Sequence, residues 1–118
     1  MRQLAKVFKA LSDETRLRIL NLLVERECCV CEVMQALDIS QTRASRNLSI
    51  LYNTGFLNAK RSGMWVLYSL DKEQYPLILE LIKKSLQSNK EGARDREKLR
   101  QAERVGLNNV CASKASCN

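Results

Sequence analysis

One hundred and eighteen residues, 45% of them apolar, supply one small core, and 20 Lys and Arg against 13 Asp and Glu leave a net charge of +7. Histidine is absent, which excludes imidazole acid–base chemistry, Ser-His-Asp and Cys-His nucleophiles and every His-containing metal site. No stretch approaches the about 20 apolar residues of a membrane span, and MRQLAKVFKAL at the N-terminus is amphipathic rather than a secretory leader, so a cytoplasmic chain with no membrane partner is expected.

Leu4, Val7, Phe8 and Leu11 recur at helical spacing, so the chain opens with an amphipathic helix that stops near Ser12. Ser12 is the expected N-cap of a second helix, with Asp13 and Glu14 in its first turn and a wide apolar face built on Leu17, Ile19, Leu20, Leu22, Leu23 and Val24. A short third helix runs from about Val30 to Leu37, and Asp38-Ile39-Ser40 breaks it. Ser40 caps a fourth helix that ends before Gly55 and turns Ala44, Leu48 and Leu51 inward. Phe56-Leu57, the polar turn Lys60-Arg61-Ser62-Gly63 and Trp65–Leu70 change the period to that of a strand, a turn and a strand. Pro76 starts a last long helix with a stripe of Leu77, Ile78, Leu81, Ile82 and Leu86. Residues 83–104 are polar and mixed in charge, the pattern of a solvated helix or tail, and 106–118 read as a loose tail. The division is therefore a domain over 1–86 and a basic extension over 87–118, partly helical or disordered.

Charge locates the functional surface. Residues 1–38 hold six basic and six acidic side chains, whereas residues 39–70 hold four basic and no acidic ones. Two short helices across a three-residue break, followed by a basic hairpin, are the organisation of a winged helix-turn-helix: mainly α, with about five helices and a two-stranded wing. A polar helix face taken alone is an ordinary solvated surface; the acid-free stretch and the hairpin favour double-stranded DNA as the partner. At about 100° per residue, Thr42, Arg46 and Ser49 oppose the core side of the fourth helix, flanked by Arg43 and Ser45. Arg and short hydroxyls suit base edges and phosphates, and Gln41 suits an adenine. Lys60 and Arg61 at the hairpin tip would follow the flanking backbone.

The segments LAKVFKALSDETRLRILNLL, CVCEVMQALDISQTRASRNLSILYNTGFL and KRSGMWVLYSL, across roughly residues 3–82, resemble the ArsR/SmtB family of metal-responsive winged-helix repressors. Cys29-Val30-Cys31-Glu32 resembles the ELCVCDL signature of its arsenical-resistance repressors, which implies a homodimeric repressor with trivalent arsenic or antimony as inducer and no organic cofactor. Three departures stand out: Met34 occupies the place of a third Cys found in some members, Cys28 replaces a Leu, and Ser45-Arg46-Asn47-Leu48 lacks the family's His. Cys111 and Cys117 are similar to a Cys pair at the end of some arsenical repressors, without an assigned role.

Soft thiophilic ions prefer thiolates, and a helix N-terminus eases thiol ionisation. Cys29 and Cys31 are therefore the expected ligands, with Cys28 the third. On an ideal helix residues i and i+2 lie about 200° apart, so a third helix that began before Cys29 would have to unwind for both to hold one ion, displacing the recognition helix. Buried Cys acting as small hydrophobes is the plainer reading, disfavoured by three in four positions. Cys28 and Cys31 also form a C-x-x-C pair, so a thiol-redox repressor is the alternative. A thioredoxin-like enzyme fails for want of a βαβ pattern, and an interaction-only winged helix would show no salt-dependent DNA binding. The apolar stripes on the first and last helices exceed what one small core needs, which suggests a two-fold dimer on a pseudo-palindromic operator.

Overall fold

The structure, a computed structural model, describes residues 1–105. Among these, six helices and one hairpin follow in the order α1 (Arg2–Leu11), α2 (Glu14–Glu25), α3 (Val30–Leu37), α4 (Gln41–Thr54), β1 (Leu57–Ser62), β2 (Trp65–Leu70), α5 (Pro76–Gln87) and α6 (Lys90–Gln101). The mainly α winged helix-turn-helix expected from the pattern is present, with one helix more than the sequence suggested. Cys111, Cys117 and the tail reading of 106–118 lie outside the described residues.

The second helix is central because its apolar residues point in several directions, and it touches every other helix and β2. Ile19, Leu20 and Leu22 are fully buried, each contributing about 1.5–3 kcal/mol through burial. Its cap is Asp13 rather than the expected Ser12: Asp13 is extended and its Oδ1 accepts from the Arg16 N–H at 3.1 Å. The Ser12 hydroxyl instead donates back to Lys9 O at 2.9 Å and closes α1. A carboxylate is the stronger partner for the positive helix end, and Ser12 serves the carbonyl that α1 leaves open.

The break between α3 and α4 is built from Asp38 in the left-handed region (φ 57°) and an Ile39 N–H that reaches back to Met34 O at 3.3 Å. Ser40 then caps α4, its Oγ accepting from the Arg43 N–H at 3.2 Å. At the other end Gly55 takes φ 102°, which a side chain would strain, and Phe56 drops into the core with its ring 4.9 Å from that of Tyr75. The hairpin pairs Leu57 with Leu70 and Ser62 with Trp65, so its turn is Gly63-Met64. Lys60 and Arg61 therefore lie within β1 and not at the tip. Gly63, at φ 61°, occupies the first central position, where a two-residue turn needs a positive φ.

The helix that starts at Pro76 ends at Gln87, and after Ser88-Asn89 the extension expected to be partly helical or disordered forms a second helix. Asn89 caps α6, its Oδ1 accepting from the Gly92 N–H at 2.8 Å. α6 then lies on α2 and α3. Its inner side is not apolar in the usual way: Asp95 and Leu99 are buried with Gly92. Arg18 donates to both Asp95 oxygens at 2.8 and 2.9 Å, and Asn21 Nδ2 donates to Gly92 O at 3.1 Å. Polar partners on α2 hold what apolar periodicity could not reveal, so the solvated-helix reading fits only the outer face of this segment.

Candidate nucleic-acid interface and thiol centre

The recognition surface is built on α4, whose inward residues Ala44, Leu48 and Leu51 are buried as the helical spacing requires. Gln41, Thr42, Arg46 and Ser49 are exposed together, and Ser45 is half-buried at their edge. Arg43 is exposed but engaged, its Nη2 donating to Thr15 Oγ1 of α2 at 3.0 Å. Asn47, at the place of the family's His, is buried and was not singled out from the sequence. Arg16 Nη1 donates to Asn47 Oδ1 at 3.0 Å while its Nε donates to Ala10 O at 2.6 Å, so one guanidinium ties the recognition helix to the end of α1. On the wing, Lys60 and Arg61 are exposed, but consecutive strand residues face opposite sides, so they cannot meet one phosphate row from the same face.

Cys28, Cys29 and Cys31 are 0%, 2% and 1% exposed, so the cluster is buried beneath the surface rather than displayed on it. Cys28 is held as a strand residue: its N–H donates to Tyr68 O at 3.0 Å and its carbonyl accepts from the Tyr68 N–H at 2.8 Å. Its sulfur donates to Arg26 O at 3.4 Å. Burial, reinforced by the nearby Glu32 carboxylate, pushes the Cys28 thiol up to about 12. The expectation that a helix start would ease ionisation throughout 28–31 therefore fails at Cys28, which sits ahead of the helix in an apolar strand contact.

Cys29 and Cys31 form a pair. α3 begins at Val30, leaving Cys29 as an extended N-cap (φ −92°, ψ 171°) outside the helix and Cys31 buried in its first turn, close enough that each thiol shifts the ionisation of the other. The condition for a steric conflict, a regular helix starting before Cys29, is not met. The neighbouring Cys29 thiol lowers Cys31 to about 7 against the opposing effect of burial, with the Val105 N–H helping. Cys31, together with burial, drives Cys29 far above its ordinary value.

Beside the pair lies Glu32, 2% exposed, three residues after the cap as a capping-box acid requires. Its Oε1 accepts from the Cys29 N–H at 3.0 Å and from Arg104 Nε at 2.9 Å, and its Oε2 accepts from Arg26 Nη1 at 2.6 Å. Burial works against the charge, but these three donors hold the carboxyl below its ordinary value. Among the described residues no three Cys, Asp or Glu groups converge on one metal-sized point. The donors in place are two soft sulfurs, a set that suits a thiophilic ion better than zinc or a hard cation.

A helix-turn-helix with an exposed cationic second helix and a wing defines a winged-helix transcriptional regulator rather than an enzyme. The family model described as bacterial regulatory protein, arsR family, matches residues 13–59. Arsenic resistance transcriptional regulator ArsR2 of Pseudomonas putida is 43% identical over 90 residues, spanning 75% of this chain and 78% of that protein. The arsenical resistance operon repressor of Escherichia coli K12 is 48% identical over 66 residues, 55% of this chain and 56% of that one. Among solved structures, the homodimeric winged helix-turn-helix domain of Mb0332 from Mycobacterium bovis matches with a TM-score of 0.65 at 31% identity, covering 75% of this chain and 82% of that one. The chain belongs to the ArsR family.

Proposed function

We propose that this regulator is a metalloid-responsive repressor: a dimer binds double-stranded operator DNA through α4 and the wing, and leaves it when trivalent arsenic or antimony binds Cys29 and Cys31. The observation that carries the reading is the pair of buried thiols at the start of α3, Cys29 as its extended N-cap and Cys31 in its first turn, on the helix that leads into the recognition helix. Each thiol displaces one hydroxyl of arsenous acid: an As–S bond forms, an As–O bond breaks, and the thiol proton leaves with the hydroxide as water, with no change of oxidation state. Cys28 is the third thiol among the described residues, and to join the pair its sulfur would leave Arg26 O. The arsenic-resistance names of the relatives support this inducer class.

Thr42, Arg46 and Ser49 with Gln41 would read the groove, Arg43 and Ser45 would support them, and Lys60 and Arg61 would reach the backbone on either side of the wing. Exposed Leu4 and Phe8 on α1 and Leu77 and Leu81 on α5, from 50 to 85% accessible, are the surface for the second copy, as the homodimeric state of Mb0332 supports.

Arsenite titration followed by X-ray absorption tests the site. One arsenic per chain is expected, with uptake lost in Cys29→Ser and Cys31→Ser and one fewer sulfur neighbour in Cys28→Ser; uptake unchanged in the first two variants would overturn the assignment. A redox reading draws its support from Cys31, whose thiol is held below its ordinary value. Operator release by peroxide without metalloid would favour it.

A further inference from the structure

The segment that follows α6 is tied to three places at once. The Glu103 N–H donates to Gln35 Oε1 at 3.1 Å, and Gln35 Nε2 returns a bond to Glu103 O at 2.7 Å. Arg104 Nε meets Glu32 Oε1 at 2.9 Å. Val105 is half-buried against the core, and its carbonyl accepts from Trp65 Nε1 of the wing at 3.4 Å. The two thiols are 2% and 1% exposed, and the segment is tied to the residues around them: Gln35 also donates to Cys31 O at 2.9 Å, and the Glu32 oxygen that meets Arg104 accepts from the Cys29 N–H. Because Cys29 already lies outside α3, two sulfurs can share one atom without unwinding the helix.

Resting on the metalloid reading above, we propose that Glu103–Val105 is a lid over the Cys29–Cys31 pair, and that its displacement carries metalloid binding to the wing through Trp65. Glu32, Gln35 and Arg104 are positioning residues that hold the lid shut. Arsenic bound between the sulfurs takes space in the part of the core against which Val105 packs. Once Val105 leaves, Trp65 loses its partner, and β2 carries that change to the strand bearing Lys60 and Arg61. The thiols would then reach the DNA face by the wing as well as by α3.

The chain has one Trp, so its emission reports the lid directly. In the full-length protein, arsenite should shift that emission to the red, with the midpoint of arsenic uptake. The double variant Arg104→Ala with Gln35→Ala should be red-shifted before arsenite is added. Iodoacetamide should modify its Cys29 and Cys31, located by peptide mass, about tenfold faster, the effect of losing about 1.4 kcal/mol of closure. Arg104→Lys, which keeps a cation on Glu32, should recover most of the slow rate. The double variant should still bind operator and arsenite, yet arsenite should change its operator affinity less than threefold. Unchanged emission and alkylation in the double variant would overturn the lid, whether or not arsenite binds. Wild-type protein that releases DNA on arsenite with no change in emission would overturn the route through Trp65. Wild-type protein that neither binds arsenite nor releases DNA would instead remove the metalloid reading, and the alkylation rates would still decide the lid.

Discussion

Cys29 and Cys31 are both buried yet differ, because each shifts the other: Cys31 is held below its ordinary value and Cys29 is pushed above it. The first deprotonation of the pair falls near 7 at Cys31 because the neighbouring Cys29 thiol lowers it. Alkylation of Cys31 should therefore rise between pH 6 and 8, and in Cys29→Ala the rise should move to higher pH, since burial then acts without that neighbour. Stopped-flow alkylation read by mass checks this. Arg16 makes an equally local prediction. Arg16→Ala leaves Asn47 Oδ1 and Ala10 O without their donor, which should cost about 1–3 kcal/mol of stability by denaturant unfolding and weaken operator binding. The Cys cluster and the exposed side chains of α4 were legible because helical spacing and residue chemistry need no distant partner. Cys28 and Asn47 were not, because each is defined by a residue far along the chain, Tyr68 in one case and Arg16 in the other.

Among the elements, α6 shows where apolar periodicity runs out. Leu99 is its one large apolar residue at full burial, and the rest of its hold comes from Asp95 on Arg18, Arg26 on Leu99 O and Arg96 on Asn21. A sequence with so many charges reads as solvated until the partners on α2 are known. The capping role of Glu32 at α3 went unread from the sequence, and nothing in its spacing reveals that Arg26 and Arg104 would both meet it. Glu32 is more acidic folded than unfolded, so it contributes stability above its ordinary 4.5, and that contribution is lost as pH falls through the lower folded value. Thermal unfolding of Glu32→Gln should show a loss of about 1–3 kcal/mol at pH 7, shrinking at acid pH, where the native carboxyl is protonated too. An equal loss at both pH values would contradict the role of the charge.

For the whole molecule, the acid-free stretch of 39–70 falls on α4 and the wing, where Arg43, Arg46, Lys60 and Arg61 are exposed, while α1 and α5 keep apolar side chains in water. Phe8 is 57% and Leu81 65% exposed although the spacing placed both on apolar stripes. Each stripe is divided between the monomer core, which takes Val7 and Ile82, and a surface that a second copy would cover. Leu81→Glu should shift sedimentation equilibrium from dimer to monomer at micromolar concentration and leave the monomer fold intact by circular dichroism. A wild-type monomer at that concentration would contradict the two-fold arrangement. The hairpin was placed by its change of period, but its tip moved by two residues, because the turn is decided by where Gly63 can supply a positive φ rather than by where the charges cluster.

The most direct measurement is operator affinity by fluorescence anisotropy, with and without arsenite, for wild-type, Cys29→Ser and Cys31→Ser proteins at fixed salt. The thiol-pair mechanism requires all three to bind the operator alike without arsenite, and arsenite to weaken only the wild type, by about 5- to 150-fold for a coupling of about 1–3 kcal/mol. Release of both variants by arsenite to the same extent as the wild type would contradict it.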